Sequence, residues 1–116
     1  MSTQRFCLAL DLVDDPALIA EYQRLHQRIW PEIAHHLRHE GVLDMQIWRL
    51  GTRLFMVMET APAFDSEAKA AADSADPAVI AWEDLMDRYQ QRLPWAPADV
   101  KWVGAERIFA LSEQSS

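Results

Sequence analysis

Hydrophobic positions recur along this chain with two periods, and the switches between them mark the elements. The stretch "RFCLALDLV" (residues 5–13) is a short, mostly apolar run bounded by polar residues, as expected of a buried strand. Asp15 and Pro16 then supply a helix start, an N-cap followed by proline at the first helical position. From there Ile19, Tyr22, His26, Ile29, Ile33 and Leu37 recur at spacings of three and four, which is one helix face, and Gly41 is a natural stop. Pro31 interrupts this pattern. It has no N–H to give, and it pushes Trp30 out of helical geometry, so a kink or restart is expected at Trp30-Pro31-Glu32.

"MQIWRL" (45–50) and "RLFMVMET" (53–60) flank Gly51-Thr52, predicting two strands joined by a tight hairpin. The second is apolar on both faces through Met58, so both of its sides should be covered. A short alanine-rich helix is expected over residues 66–72. "DPAVIAWEDLMDRYQQRL" repeats the Asp-Pro start, and Val79, Trp82, Met86, Tyr89 and Leu93 form a second helical stripe. "LPWAPAD" reads as a turn-rich connection. "KWVGAERIFAL" (101–111) reads as a last strand, and the polar tail 112–116 is expected to fray. The order strand, helix, strand, strand, helix, strand predicts an α+β fold, ferredoxin-like βαββαβ, in a single domain over residues 1–116. Two helices would cover one face of the sheet. The other face has nothing in the chain to cover it, which points to a homodimer packed sheet on sheet.

Composition narrows the function classes. Eleven basic residues against 18 acidic ones give a net charge of -7, which opposes binding to phosphate backbones or anionic lipid surfaces. Neither nucleic acid nor membrane is expected as a partner. No run approaches the roughly 18 apolar residues of a membrane span, and no apolar leader is visible at the N-terminus. The single cysteine, Cys7, has no intrachain partner and sits in an apolar run; it reads as a packed core residue in a reducing, cytoplasmic setting. Three glycines furnish no phosphate loop.

His26 is the most informative residue for chemistry. An imidazole on an apolar stripe is either a general acid or base, or a buried histidine satisfied by a backbone carbonyl. Tyr22, one turn earlier on the same face, can place its ring and hydroxyl beside it, and a break at Pro31 would open one wall of a cleft there. His35 and His39, four apart, could form a two-ligand metal edge, but no third ligand stands at a telling spacing, so they read as solvated surface. Trp82 lies on the second helical stripe, and Trp48 and Trp102 within strands, where packing is the default. Glu59, Glu32 and Asp44 could each supply a second carboxylate, and nothing in the sequence selects among them.

Together, "EYQRLHQRIWPEI", "GVLDMQIWRLGTRLFMVME" and "AWEDLM" resemble the L-rhamnose mutarotase family of small sugar 1-epimerases. The resemblance spans nearly the whole chain, and the Tyr-x-x-x-His-x-x-x-Trp-Pro-Glu run is its most specific part. It implies a dimeric α+β barrel that interconverts the α and β anomers of a 6-deoxyhexose pyranose without a cofactor or metal. The family's proton-donating histidine matches His26, its substrate-contacting tyrosine matches Tyr22, and a tryptophan lining the sugar site matches Trp82. Two positions depart from the pattern: Met45 stands where rhamnose enzymes carry a tyrosine, and Glu83 follows Trp82 where a second tryptophan can stand. Both are expected to touch substrate and to alter which hydroxyls are recognised. "GTRLFMVME" and "KWV" look like the branch associated with L-fucose, which is therefore expected ahead of L-rhamnose.

The chemistry suits the residues. Mutarotation requires one proton delivered to the ring oxygen and one removed from the anomeric hydroxyl, and such acid–base help typically contributes ~10²–10⁴-fold. The second proton-transfer group is left open between a water, Tyr22 and a carboxylate. Two other functions are compatible with the same fold: a dimeric haem or quinol-type monooxygenase with His26 as axial ligand, by fold analogy alone, and a non-catalytic sugar-binding module.

Overall fold

A computed structural model describes residues 2–115; Met1 and Ser116 lie outside the described residues. Strand β1 (Gln4–Leu12) is followed by helices α1 (Pro16–Gln27) and α2 (Pro31–His39), strands β2 (Val42–Leu50) and β3 (Arg53–Thr60), and helices α3 (Ser66–Ala75) and α4 (Pro77–Met86). Two short strands close the sheet, β4 (Gln90–Gln91) and β5 (Val103–Gly104). The strand order is β2-β3-β1-β4, all pairs antiparallel, with β5 also on β1. This is the α+β, ferredoxin-like arrangement expected from the element order.

The local signals act as their chemistry requires. Asp15 caps α1 by accepting from the N–H groups of Ala17 and Leu18, and Pro16 opens the helix. Asp76 and Pro77 repeat the device for α4. Gly41, at φ 96°, takes the left-handed conformation that ends α2, and Gly51, at φ 60°, makes the hairpin turn that pairs Leu50 with Arg53. The expected break is a full restart: α1 stops at Gln27, and Pro31 begins α2 as its first residue.

Four expectations need correction. The second amphipathic stripe is not one helix, because α4 ends at Met86 with Asp87 as its C-cap. Tyr89 and Leu93 are buried through β4 and the turn beyond it; the Val13 N–H bonds to the Tyr89 carbonyl at 2.8 Å, so pairing with β1 overrides helical periodicity. The last strand is two residues long plus one more bond, Ala105 N–H to Cys7 carbonyl at 2.7 Å. Beyond it Ile108, Phe109 and Leu111 stand exposed, at 90%, 64% and 76%. Leu111–Glu113 close one 3-10 turn at the start of the tail. Cys7 is exposed rather than core: Phe6 and Leu8 face the helices, so strand alternation turns Cys7 to the other side. Trp48 is likewise 62% exposed, on the helix-free face.

The core lies between the inner sheet face and the helices, built from Leu12, Leu54, Tyr22, Ile33, Val79, Trp82, Met86 and Tyr89. No helix among the described residues is long and apolar enough to cross a membrane.

Candidate active site

The helices do not seal the inner sheet face completely. A cavity of about 390 Å³ remains between the strands and the four helices. Phe6, Leu8, Met45, Ile47, Met56 and Met58 form its sheet side. Such a wall of aromatic and thioether groups suits a ligand with apolar faces. Tyr22, His26, Trp82, Met45 and Glu83, the five residues singled out from sequence, all line this one cavity.

Helical spacing brings the first three together. Tyr22 is buried on α1, and His26, one turn later, stacks against it with ring centroids 4.2 Å apart. The His26 Nδ1–H donates to the Tyr22 carbonyl at 2.8 Å. That bond fixes the tautomer and leaves Nε2 as the nitrogen available for proton transfer. The carbonyl thus satisfies one ring nitrogen, as the buried-histidine reading requires, and leaves the other without a hydrogen-bond partner among the described residues. From α4 the Trp82 ring meets His26 edge-on at 5.6 Å. The restart at Pro31 carries Trp30 against Trp82, edge-on at 5.1 Å, and props that ring in place.

Burial sets the electrostatics of the pair. Desolvation holds the His26 imidazole below its usual value of 6.5, outweighing the opposing effect of the Tyr22 carbonyl bond. At neutral pH the ring is therefore chiefly neutral, able to accept a proton at Nε2. The Tyr22 hydroxyl is pushed up to about 12, first by burial; a hydrogen bond to Gln90 opposes that, and the Glu83 charge adds to it. Tyr22 accordingly stays protonated; its oxygen accepts from Gln90, and its O–H has no partner among the described residues.

Met45 reaches the cavity through a register shift. β2 pairs Val42 with Thr60 but Asp44 with Glu59, a bulge that lets both Val42 and Met45 face inward. Glu83 stands beside Trp82, and its Oε2 accepts from Lys101 Nζ at 2.6 Å. The same ammonium meets Asp87 at 2.7 Å. Burial opposes the Lys101 charge, but the hydrogen bonds to Asp87 and Glu83, with their charges, hold it above the usual lysine range.

Several cavity residues escaped the sequence reading. Lys101 lines it from the last strand region, beside Trp102, for which packing is the default expectation, and Gln90 lines it from β4. The Gln90 Nε2 donates to the Tyr22 hydroxyl at 3.4 Å, while its buried Oε1 has no partner among the described residues. His36, Asp73 and Lys69 form another polar cluster on the wall: His36 Nε2 meets Asp73 at 2.6 Å, its Nδ1 meets Asp76 at 3.2 Å, and Lys69 meets Asp73 at 2.7 Å. One signal for Lys101 was present, since Glu83 and Asp87 lie one turn apart on one helix face and call for a cation from elsewhere. Gln90 carried no such signal.

None of the three carboxylates considered from sequence lines this cavity. Glu59 pairs with Arg5 on the outer sheet face at 3.7 Å and Glu32 is exposed, while Asp44, also exposed, lines an adjoining cavity that shares His26 and Met45 with the first. His35 and His39 stack at the surface with centroids 6.2 Å apart. Among the described residues no group of three or more His, Cys, Asp or Glu side chains gathers to hold a metal ion.

Comparison with known proteins gives a consistent result. The L-rhamnose mutarotase family matches residues 5–111. A protein of Xanthomonas campestris pv. campestris named L-fucose mutarotase is 48% identical over 118 residues, covering 100% of this chain and 94% of that protein. An L-rhamnose mutarotase of Verminephrobacter eiseniae is 44% identical over 48 residues, 41% of this chain and 43% of its own. The crystal structure of an L-rhamnose mutarotase from Formosa agariphila superposes with a TM-score of 0.69 at 20% identity, covering 93% of this chain and 98% of that one, a likeness of fold.

Proposed function

Because the chain belongs to the L-rhamnose mutarotase family of sugar isomerases, we propose that it interconverts the anomers of a 6-deoxyhexose pyranose, L-fucose ahead of L-rhamnose, with His26 as the proton-transfer group. The observation that carries this reading is the orientation of His26, whose Nδ1–H is held by the Tyr22 carbonyl at 2.8 Å inside an apolar cavity. The lean toward L-fucose rests on the full-length relative of that name and on Met45 and Glu83 at the cavity wall.

The mechanism follows from the protonation states. Neutral His26 takes the anomeric hydroxyl proton at Nε2 while the ring oxygen receives a proton from a second group. The bond from the anomeric carbon to the ring oxygen breaks, leaving an open aldehyde and a hydroxyl on C5. Rotation about C1–C2 presents the other carbonyl face. On closure the imidazolium returns its proton to the carbonyl oxygen, and the C5 hydroxyl gives its proton back to the second group. Protons balance over the cycle. Tyr22 suits the second role, as its hydroxyl stays protonated and its ring touches His26. Trp82 and Met45 would take the apolar C–H faces and the C6 methyl.

The active unit we propose is a homodimer packed through the outer sheet face. On that face the cross-strand pairs Cys7–Val57 and Ala9–Phe55 are flanked by the ion pairs Arg5–Glu59 and Asp11–Arg53. Trp48 and Leu50 extend the apolar centre on β2. An apolar patch rimmed by charge is the anatomy of an interface.

Saturation-transfer NMR on L-fucose and L-rhamnose, with and without protein, tests the function. Exchange between anomers should rise with protein, more for L-fucose. Binding without any gain in exchange would establish the non-catalytic module instead. The haem or quinol monooxygenase reading rested on fold analogy and gains no support from the family match.

A further inference from the structure

The Lys101–Glu83 pair sits on the cavity wall with hydrogen-bonding capacity left over. Lys101 has three N–H groups, and two are accounted for, by Glu83 Oε2 at 2.6 Å and Asp87 Oδ1 at 2.7 Å. No described side chain takes the third. On Glu83, Oε2 is bonded, and Oε1 has no partner among the described residues. The Lys101 side chain is mostly buried, at 16% exposed, so its charge is held within the wall rather than in open water. Glu83 directly follows Trp82, and the pair lines the same cavity as Tyr22 and His26.

We infer that Lys101, with Glu83, is a specificity-determining residue that reads two adjacent sugar hydroxyls. The ammonium donates to one hydroxyl oxygen, and Glu83 Oε1 accepts from the neighbouring hydroxyl. A donor and an acceptor fixed side by side match a vicinal diol, where each oxygen can accept and each O–H can donate. Hydroxyl direction is what distinguishes one 6-deoxyhexose from another: L-fucose and L-rhamnose share the C6 methyl and differ in configuration at C2 and C4. The apolar walls of the cavity cannot read that difference. The pair can, because a misdirected hydroxyl leaves the mostly buried Lys101 ammonium, at 16% exposed, one partner short, while Glu83, 47% exposed, loses less. Asp87, bonded to Lys101 from outside the cavity lining, keeps the ammonium in position.

The inference deepens the mutarotase reading and rests on it. Its test is the ratio of kcat/KM for L-fucose to that for L-rhamnose, by anomer exchange, in wild type, Lys101→Met, Lys101→Arg and Glu83→Gln. Lys101→Met should raise KM for the favoured sugar about ten- to hundredfold, the loss of one charge-assisted hydrogen bond. Its kcat should stay within about threefold, since the proton-transfer residues are intact. The ratio should shift toward the disfavoured sugar by about tenfold or more, with partial return in Lys101→Arg. Glu83→Gln should move it the same way, and it serves if Lys101→Met does not fold. A ratio unchanged within about twofold in the folded variants, whether or not both rates fall together, would assign the pair a merely structural role and overturn the inference. Wild-type protein that exchanges neither sugar is a separate outcome; it removes the mutarotase reading and this inference with it.

Discussion

The two faces of one sheet have opposite fates. Both are apolar through their middle, and strand alternation alone decides which side chain goes where. The inner face, from Phe6, Leu8, Met45, Met56 and Met58, is roofed by helices and encloses a cavity lined with titratable groups. The outer face, from Cys7, Ala9, Phe55, Val57 and Trp48, is bare within the chain and ringed by ion pairs. The inner face is an environment, dry enough to move the titrations of His26 and Tyr22. The outer face is exposed within the chain, and it is the surface we propose for dimer packing. Similar composition gives an enclosed cavity on one side and a bare apolar patch on the other, because the chain supplies helices to one side alone.

Substitutions on each face should separate these roles. His26→Ala has the largest expected effect, a fall in anomer exchange of about 10²–10⁴-fold with the oligomeric state unchanged. Sedimentation alongside exchange measurements checks both halves. Trp48→Glu is the mirror image: it places a charge on the β2 extension of the outer patch, beside Phe55, where an unpaired buried charge costs about 3–5 kcal/mol. Light scattering should then find monomer at concentrations where wild type is dimeric, and a Trp48→Glu protein as dimeric as wild type would show that the contact lies elsewhere. Tyr22→Phe keeps the ring packing and removes the hydroxyl. It should lower exchange about tenfold, roughly 1.4 kcal/mol, and leave the dimer intact.

Much of this division was legible in the sequence. The Asp-Pro helix starts, the stop at Gly41, the restart at Pro31 and the Gly51 hairpin all rest on local backbone chemistry, which a sequence displays directly. Tyr22, His26 and Trp82 were legible because helical periodicity and a family motif coincide on them. What was not legible depends on long-range pairing. Tyr89 continues a helical rhythm yet belongs to the approach to β4, because β1 offers it a backbone partner. The segment after Gly104 has the composition of a strand, and within one chain Ile108 and Phe109 find no surface to cover them. Lys101 and Gln90 reach the cavity from segments distant in sequence, and no periodicity points there. Cys7 was misread for a simpler reason: an apolar run shows that a strand is covered, but its alternation has to be anchored before each face can be assigned.

The central claim is that proton transfer runs through a neutral His26 whose titration is lowered by burial. Its stability sign is definite. A folded-state value below the unfolded one means that the unfolded chain binds the proton more readily, so stability falls as pH drops from about 6.5 toward the folded-state value, and His26 adds nothing above that window. Catalysis should follow the same group. The most direct measurement is the protein-dependent rate of L-fucose anomer exchange across roughly pH 5 to 8, with the spontaneous rate subtracted. The account predicts a plateau at and above neutrality and a falling limb on the acid side, with a midpoint below about 6.5. A rate that climbs as pH falls through that range would contradict it.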